Sequence, residues 1–220
     1  MPTLLLRLCG PLQAWGVQSH FQTRDTGTEP SKSGVVGLLA AALGRDWSAD
    51  ITDIAGLRMG VRVDQEGTLT PDLHTIADVR RADGGLKPRD ITTRWYLADA
   101  RFLVGLSGEL ELLQRLHAAL ADPVWPLCLG RKACVPGEPP WLEDGLLEAD
   151  LETALAEYPW LGYHAGAELR LVLEQVHGEG ELVFDQPTDN FARRGRGPRT
   201  VKTLFMPRPA DRANREEDHD

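Results

Sequence analysis

The segment from Gly27 to Ser33, with the sequence GTEPSKS, places lysine and serine where a nucleotide-binding loop would hold phosphate. The comparison fails because the spacing to Lys32 is one residue short, serine replaces the second glycine, and Pro30 lacks a backbone N–H. The N-terminus of the helix that follows still presents free N–H groups and a positive dipole end. With Arg24 and Lys32 beside Ser33, the segment can hold an RNA phosphate, or its serines can simply cap the helix.

Two other short segments carry side chains that suit RNA. Gln13 and Trp15 lie between glycines in the sequence GPLQAWG. The indole there can stack on a base or pack beneath the loop, and the Gln13 carboxamide can bond to a base edge. Arg131 and Lys132 are adjacent cations in a predicted turn, where they can contact phosphate or stay in solvent.

Residue types that perform catalysis or bind metals are present but are not spaced in a recognisable way. The six histidines are scattered, and neither a zinc-ligand pattern nor a nucleophile elbow occurs. The three cysteines form no C-x-x-C pair and predict reduced thiols. A metal-independent ribonuclease needs only a base and a cation, and His74 or His20 with Lys32 or Tyr96 would supply them. No spacing requires that assembly, so we predict no catalytic residue, no metal site and no cofactor.

The charge distribution bears on nucleic-acid binding more than the net charge of −9 does. Residues 138–181 hold eleven acidic residues and one basic residue, and the end of the chain is acidic too. Phosphate binding depends on the local electrostatic potential rather than on the net charge. The chain is therefore predicted to bind RNA on one face only. Three groups of cations remain, namely Arg80, Arg81, Lys87, Arg89 and Arg94, then Arg131 and Lys132, and then Arg193, Arg194, Arg196, Arg199 and Lys202.

The apolar pattern predicts an α+β protein. Strands are expected over 3–9, 57–63, 100–106 and 126–129, helices over 31–44 and 107–122, and a hairpin at about 74–98. This is the βαββαβ order of a ferredoxin-like (RAMP or RRM-like) domain with an inserted β-hairpin thumb. An acidic helix and further strands over 137–206 form a C-terminal β-rich extension, and 207–220 is predicted to be a disordered tail. No apolar run is long enough to span a bilayer and no signal peptide is evident, which predicts a cytoplasmic protein.

Four motifs in one order carry a resemblance to a known family. They are GPLQAWG at 10–16, TRDTG and PSKSG within 23–34, the hairpin ends His74-Thr75 and TRWYL at 93–97, and LGRKAC at 129–134. Together they resemble the CasD family, the subunit of the type I-E CRISPR Cascade that holds the 5′ handle of the crRNA. The resemblance covers about residues 1–136, weakens over the acidic region and returns at 190–202.

The resemblance implies a division into a RAMP domain at 1–136 and a packed extension at 137–206. It implies a non-catalytic RNA-holding subunit whose thumb reaches toward the CasC backbone subunit, with the CasA large subunit and the target DNA nearby. In the related type I-C branch the equivalent protein is the endoribonuclease that processes repeat RNA, and that activity is the alternative. The expected RNA-binding residues are Gln13, Trp15, Arg24, Lys32, Ser33, His74, Arg80, Arg81, Arg94, Arg131 and Lys132.

Overall fold

The structure is a computed structural model that describes residues 1–16, 22–163, 168–175, 179–193 and 195–209. Eleven strands and four helices occur in the described part of the chain. In chain order they are β1 (Thr3–Cys9), β2 (Leu12–Gln13), β3 (Thr23–Arg24), α1 (Lys32–Ala42), α2 (Thr52–Ala55), β4 (Arg58–Gln65), β5 (Thr68–Arg80), β6 (Leu86–Ala98), β7 (Arg101–Ser107), α3 (Leu110–Ala121), β8 (Leu146–Leu147), α4 (Leu151–Glu157), β9 (Glu168–Gln175), β10 (Glu181–Pro187) and β11 (Arg196–Pro207).

A seven-stranded antiparallel sheet forms the centre of the molecule, in the order β10-β11-β9-β4-β7-β1-β8. Its central strands are apolar on both faces because both faces are covered. Leu4, Leu6 and Leu8 of β1 face a core shared with α1 and α3. Leu5 faces the opposite side, where α4 and Leu142 cover the sheet. This double burial explains why β1 reads as a continuous apolar run rather than as an alternating strand.

Helix α1 matches the predicted apolar helix and lies within the core. Ser31 is its N-cap, and the Ser31 hydroxyl accepts a hydrogen bond of 3.3 Å from the Gly34 N–H. Gly44 follows the helix with a φ of +71°, and a Cβ there would lie 2.8 Å from the Val124 side chain. A glycine is therefore required both by the left-handed backbone and by the close contact.

A long hairpin of β5 and β6 forms most of a second, smaller sheet. Its strands pair antiparallel from Thr68 opposite Ala98 to Arg80 opposite Leu86. Short β2 pairs antiparallel with β6, and short β3 pairs parallel with it. The hairpin begins at Thr68 rather than near residue 74, because the turn around Gly67 is tight enough for β5 to start directly after β4.

The strand predicted at 126–129 is wrong. That segment has no strand in the structure. Leu129 instead accepts a backbone hydrogen bond from Ala14 and donates one to Cys134. The edge position beside β1 belongs to β8, which comes from the region assigned to the extension. Since β9, β10 and β11 continue the same sheet, residues on both sides of position 136 share one sheet and its two cores.

The predicted disordered tail begins too early. Pro207 is the last residue of β11, and the Arg208 guanidinium lies 4.5 Å from the centre of the Trp160 ring. Residues 210–220 of that prediction, together with His20 and Arg194, lie outside the described residues. No helix in the described part of the chain is long and apolar enough to cross a membrane.

Candidate nucleic-acid interface

Two arginines from different strands lie side by side on the hairpin sheet. The parallel pairing of β3 with β6 sets Arg24 opposite Arg94, and residues that pair in this way project from the same face. Asp72 of β5 is the antiparallel partner of Arg94. Its carboxylate is bonded instead to His74 Nε2, at 2.5 Å. No described residue forms an ion pair with Arg24 or Arg94, so both guanidinium groups are available to an anion.

Arg131, a predicted phosphate contact, makes three hydrogen bonds within the protein. Its guanidinium is half-buried and donates to the backbone oxygens of Trp95 at 3.0 Å, Arg24 at 3.0 Å and Asp25 at 2.9 Å. It also lies 4.8 Å from the centre of the Tyr96 ring. The donors reach carbonyls on both β6 and the β3 segment. Arg131 therefore holds β3 against β6, which is what places Arg24 beside its neighbour on the hairpin.

Gln13 and Trp15 are core residues, which corrects the expectation that they contact bases. Gln13 is 0 % exposed and Trp15 is 1 % exposed. The Gln13 amide donates to the carbonyls of Leu8 at 3.1 Å and Ala100 at 2.7 Å, and its oxygen accepts from the indole N–H at 3.0 Å. These hydrogen bonds pair the buried polar groups of both side chains and so offset the free-energy cost of removing them from water. Neither side chain can reach RNA in this arrangement.

The Lys32 side chain is also buried and paired within the protein. It is 2 % exposed, and its ammonium group bonds both carboxylate oxygens of Glu174, at 2.8 and 2.9 Å. Burial lowers the pKa of Lys32, while Glu174 opposes that shift. The Lys32 backbone N–H, at the start of α1, donates to Asp185 at 2.7 Å, and Asp185 is paired with Arg199. The Asp185 carboxylate thus occupies the N-terminus of α1, where the sequence predicts a phosphate. Ser33, the next residue, is half-buried.

The remaining predicted cations are exposed. Arg80 ends β5 at the hairpin tip, Arg81 follows it, and Lys132 lies in the loop after α3. The side chains of the Arg131–Lys132 pair therefore separate, one packed against backbone and one in solvent. A shallow groove beside β3 lies on the face opposite Arg24 and Arg94, because Thr23, Ile91 and Thr93 line it. It is lined by Gln22, Thr23, Lys87, Arg89, Asp90, Ile91 and Thr93.

Replacing Lys32 with methionine tests its reassignment from RNA to the core. The change leaves the Glu174 carboxylate without its cation, so we expect the free energy of unfolding to fall by about 2 kcal/mol, with unchanged RNA affinity. Urea denaturation and a binding titration measure the two quantities. Lys202→Met, at an exposed position of β11, is the matched control and should change the free energy of unfolding by about 0.5 kcal/mol or less. Weakened RNA binding with unchanged stability would contradict the reassignment.

Solved structures and sequence relatives agree on the class of this protein. A structure described as "Crystal structure of Cas protein" is 48% identical with a TM-score of 0.79, covering 94% of this chain and 98% of that chain. A second, described as "CRISPR RNA-guided surveillance complex", is 31% identical with a TM-score of 0.78, covering 94% and 91%. The mixed α/β fold, with its mostly antiparallel sheets and few helices, is therefore that of a CRISPR-associated protein.

The family follows from the sequence comparisons. A model described as CRISPR-associated protein (Cas_Cas5) matches residues 3–202, and the chain belongs to this Cas5 family. "CRISPR system Cascade subunit CasD" of Escherichia coli (strain K12) is 34% identical over 176 residues, covering 72% of this chain and 78% of that protein. The resemblance to CasD carried by the four motifs is thereby confirmed.

Proposed function

We propose that this chain is the non-catalytic subunit of a type I-E Cascade that holds the 5′ handle of the crRNA. The observation that carries the proposal is the pair Arg24 and Arg94, adjacent on one face of the hairpin sheet and free of protein carboxylates among the described residues. It is supported by the relative described as a Cascade subunit and by the similar structure described as an RNA-guided surveillance complex.

The topology supports a ferredoxin-like core. In chain order β1, α1, β4, β7, α3 and β8 follow the βαββαβ pattern, and their strands lie in the order β8-β1-β7-β4. The hairpin of β5 and β6 is inserted between the second and third core strands, where a thumb is expected. In this proposal residues 1–136 form the RAMP domain and residues 137–206 form the extension. Strand β8 belongs to the extension in sequence but supplies the fourth strand of the ferredoxin-like core.

Phosphate contacts would come from the hairpin face and its tip. Arg24 and Arg94 bind backbone phosphates as delocalised cations, and Arg80, Arg81 and Lys132 extend the positive surface. His74, bonded to Asp72, lies on the same face as Arg94. Arg131 positions the site from behind by holding β3 in register with β6.

The hairpin also offers a protein-binding surface. Leu73 and Ile91 are exposed and lie on the face opposite Arg94, as their positions along β5 and β6 require. We place the CasC backbone subunit against this apolar face, with the CasA large subunit and the target DNA close to the same end of the complex. As part of an RNA-guided complex, the chain acts in the cytoplasm.

An endoribonuclease is the second candidate, because His74 with Asp72 beside Arg94 supplies a base and a cation. The other residues considered for that chemistry are less suitable. Lys32 is paired with Glu174 in the interior, and Tyr96 is 5 % exposed beneath Arg131.

Incubating the purified chain with CRISPR repeat RNA in EDTA separates the two candidates. We expect salt-dependent binding of intact RNA, with His74→Ala leaving the RNA equally intact. Specific cleavage that His74→Ala abolishes would establish the nuclease instead. Failure of the wild-type chain to bind single-stranded RNA at low salt would overturn both.

A further inference from the structure

An exposed tyrosine near the base of the hairpin has an arginine guanidinium stacked on one face of its ring. Tyr163 is 68 % exposed, and the Arg101 guanidinium lies 3.9 Å from the centre of its ring. Arg101 is itself fixed by the Glu138 carboxylate at 2.8 Å and by the Leu161 carbonyl at 3.0 Å. One side of the ring is therefore supported by a rigid cation, while most of its surface remains open.

A second aromatic residue with an arginine lies in the same segment. The Trp160 indole donates to the Asp64 backbone oxygen at 2.8 Å, and Arg208 lies over its ring. The Leu161 N–H donates to the Asp64 carboxylate at 2.8 Å, and the Tyr163 N–H to the Gln65 side-chain oxygen at 3.0 Å. The end of β4 thus holds residues 160–163 through one indole and two backbone N–H groups, which preorganises both rings.

The segment borders the proposed RNA surface. The Gln65 side chain that accepts from Tyr163 also donates to the Asp99 carbonyl at 2.7 Å, and Asp99 follows the last residue of β6. Arg94 lies five positions before Asp99 in the chain, about 16 Å along an extended strand. An oligonucleotide bound at Arg94 can therefore reach the tyrosine within a few nucleotides.

We propose that Tyr163, backed by Arg101, is a stacking platform for an unpaired nucleobase of single-stranded RNA, with the Trp160–Arg208 pair beside it. The inference rests on the proposed function and adds a base-binding site to it. Bases of single-stranded RNA stack on aromatic and arginine planes whatever their sequence. Glu138, the carboxylate at Arg101, disfavours a phosphate at this position, so the ligand is the base rather than the backbone.

The experiment compares Tyr163→Leu with the wild-type chain, using a single-stranded oligouridine that carries 2-aminopurine at successive positions. We expect one position to show quenched fluorescence on binding, and Tyr163→Leu to abolish that quenching and weaken affinity about tenfold. The salt dependence of binding should be unchanged, because stacking releases no counterions. Tyr163→Phe keeps the ring and should restore both signals.

Phe184, which is 59 % exposed on β10, supplies the matched control. Phe184→Leu should leave affinity and quenching at wild-type values, since β10 is at the far edge of the seven-stranded sheet. Wild-type binding that depends on Arg24 and Arg94 but not on Tyr163 would overturn the platform alone. Loss of all RNA binding by the wild-type chain would overturn the proposed function as well. Intact RNA binding with impaired capture of another Cascade subunit by Tyr163→Leu would show a protein contact and refute the platform.

Discussion

Changing Arg24 and Arg94 together to glutamine is expected to weaken the binding of single-stranded RNA about 100-fold at physiological salt. Each guanidinium is free of carboxylate partners among the described residues, and the two residues pair on one sheet face. A hydrogen bond to a charged group contributes about 1.5 kcal/mol or more, which is roughly tenfold in affinity. In the proposed binding mode the two side chains contact different phosphates, so we expect the two losses to add.

Salt dependence distinguishes loss of phosphate contacts from loss of structure. Each phosphate contact with a single strand contributes about 0.7 to the slope of log K against log salt, so the double variant should lose about 1.4. Arg115→Gln, on the exposed side of α3, is the control for the loss of a single surface charge and should keep the wild-type slope. A double variant with wild-type slope and affinity would show that the RNA lies elsewhere.

Replacing Arg62 with methionine is expected to lower the free energy of unfolding by about 3–5 kcal/mol, the largest stability effect that we predict. Arg62 and Asp64 are both 0 % exposed and form a bidentate ion pair. The same guanidinium donates to the carbonyls of Leu155, Tyr158 and Pro159 at the end of α4. The variant leaves a buried carboxylate without its cation and three carbonyls without a donor, which accounts for the size of the loss.

Urea denaturation at an unchanged m-value measures this loss. Removing both charges in Arg62→Met with Asp64→Leu should recover part of it, since the unpaired buried carboxylate is then gone. Arg45→Met breaks the more exposed pair with Asp53 and should cost about 1 kcal/mol or less. Equal destabilisation by Arg62→Met and Arg45→Met would mean that burial does not decide the strength of these pairs.

The Arg62–Asp64 pair also links stability to the proposed base platform. Asp64 accepts the Leu161 N–H and, through its carbonyl, the Trp160 indole N–H. A pair that holds the end of α4 therefore also orients the aromatic segment before Tyr163. The sequence does not indicate this role, because an arginine and an acid two positions apart on a strand are ordinary at a surface. Only their complete burial gives them this role.

Some elements could be predicted because their signal is local. The apolar run of β1, the capped helix that begins after Ser31, and the glycine at position 44 follow from hydrophobic periodicity and backbone conformation. The edge strand was misplaced because β8 is only two residues long. Its pairing with β1 depends on contacts between residues far apart in the chain, which no local pattern encodes.

The sequence by itself determined the family, through four motifs in order, and the residue types that could bind RNA. The tertiary structure alone decided which of them can reach it. Gln13, Trp15 and Lys32 belong to those motifs because they build the fold around the site, and burial with mutual hydrogen bonds removes them from solvent. The proposed site at Arg24 and Arg94 depends on strand pairing, which brings together two residues that are distant in the chain. Charge and spacing are properties of the chain, whereas exposure and juxtaposition arise only when its surfaces pack.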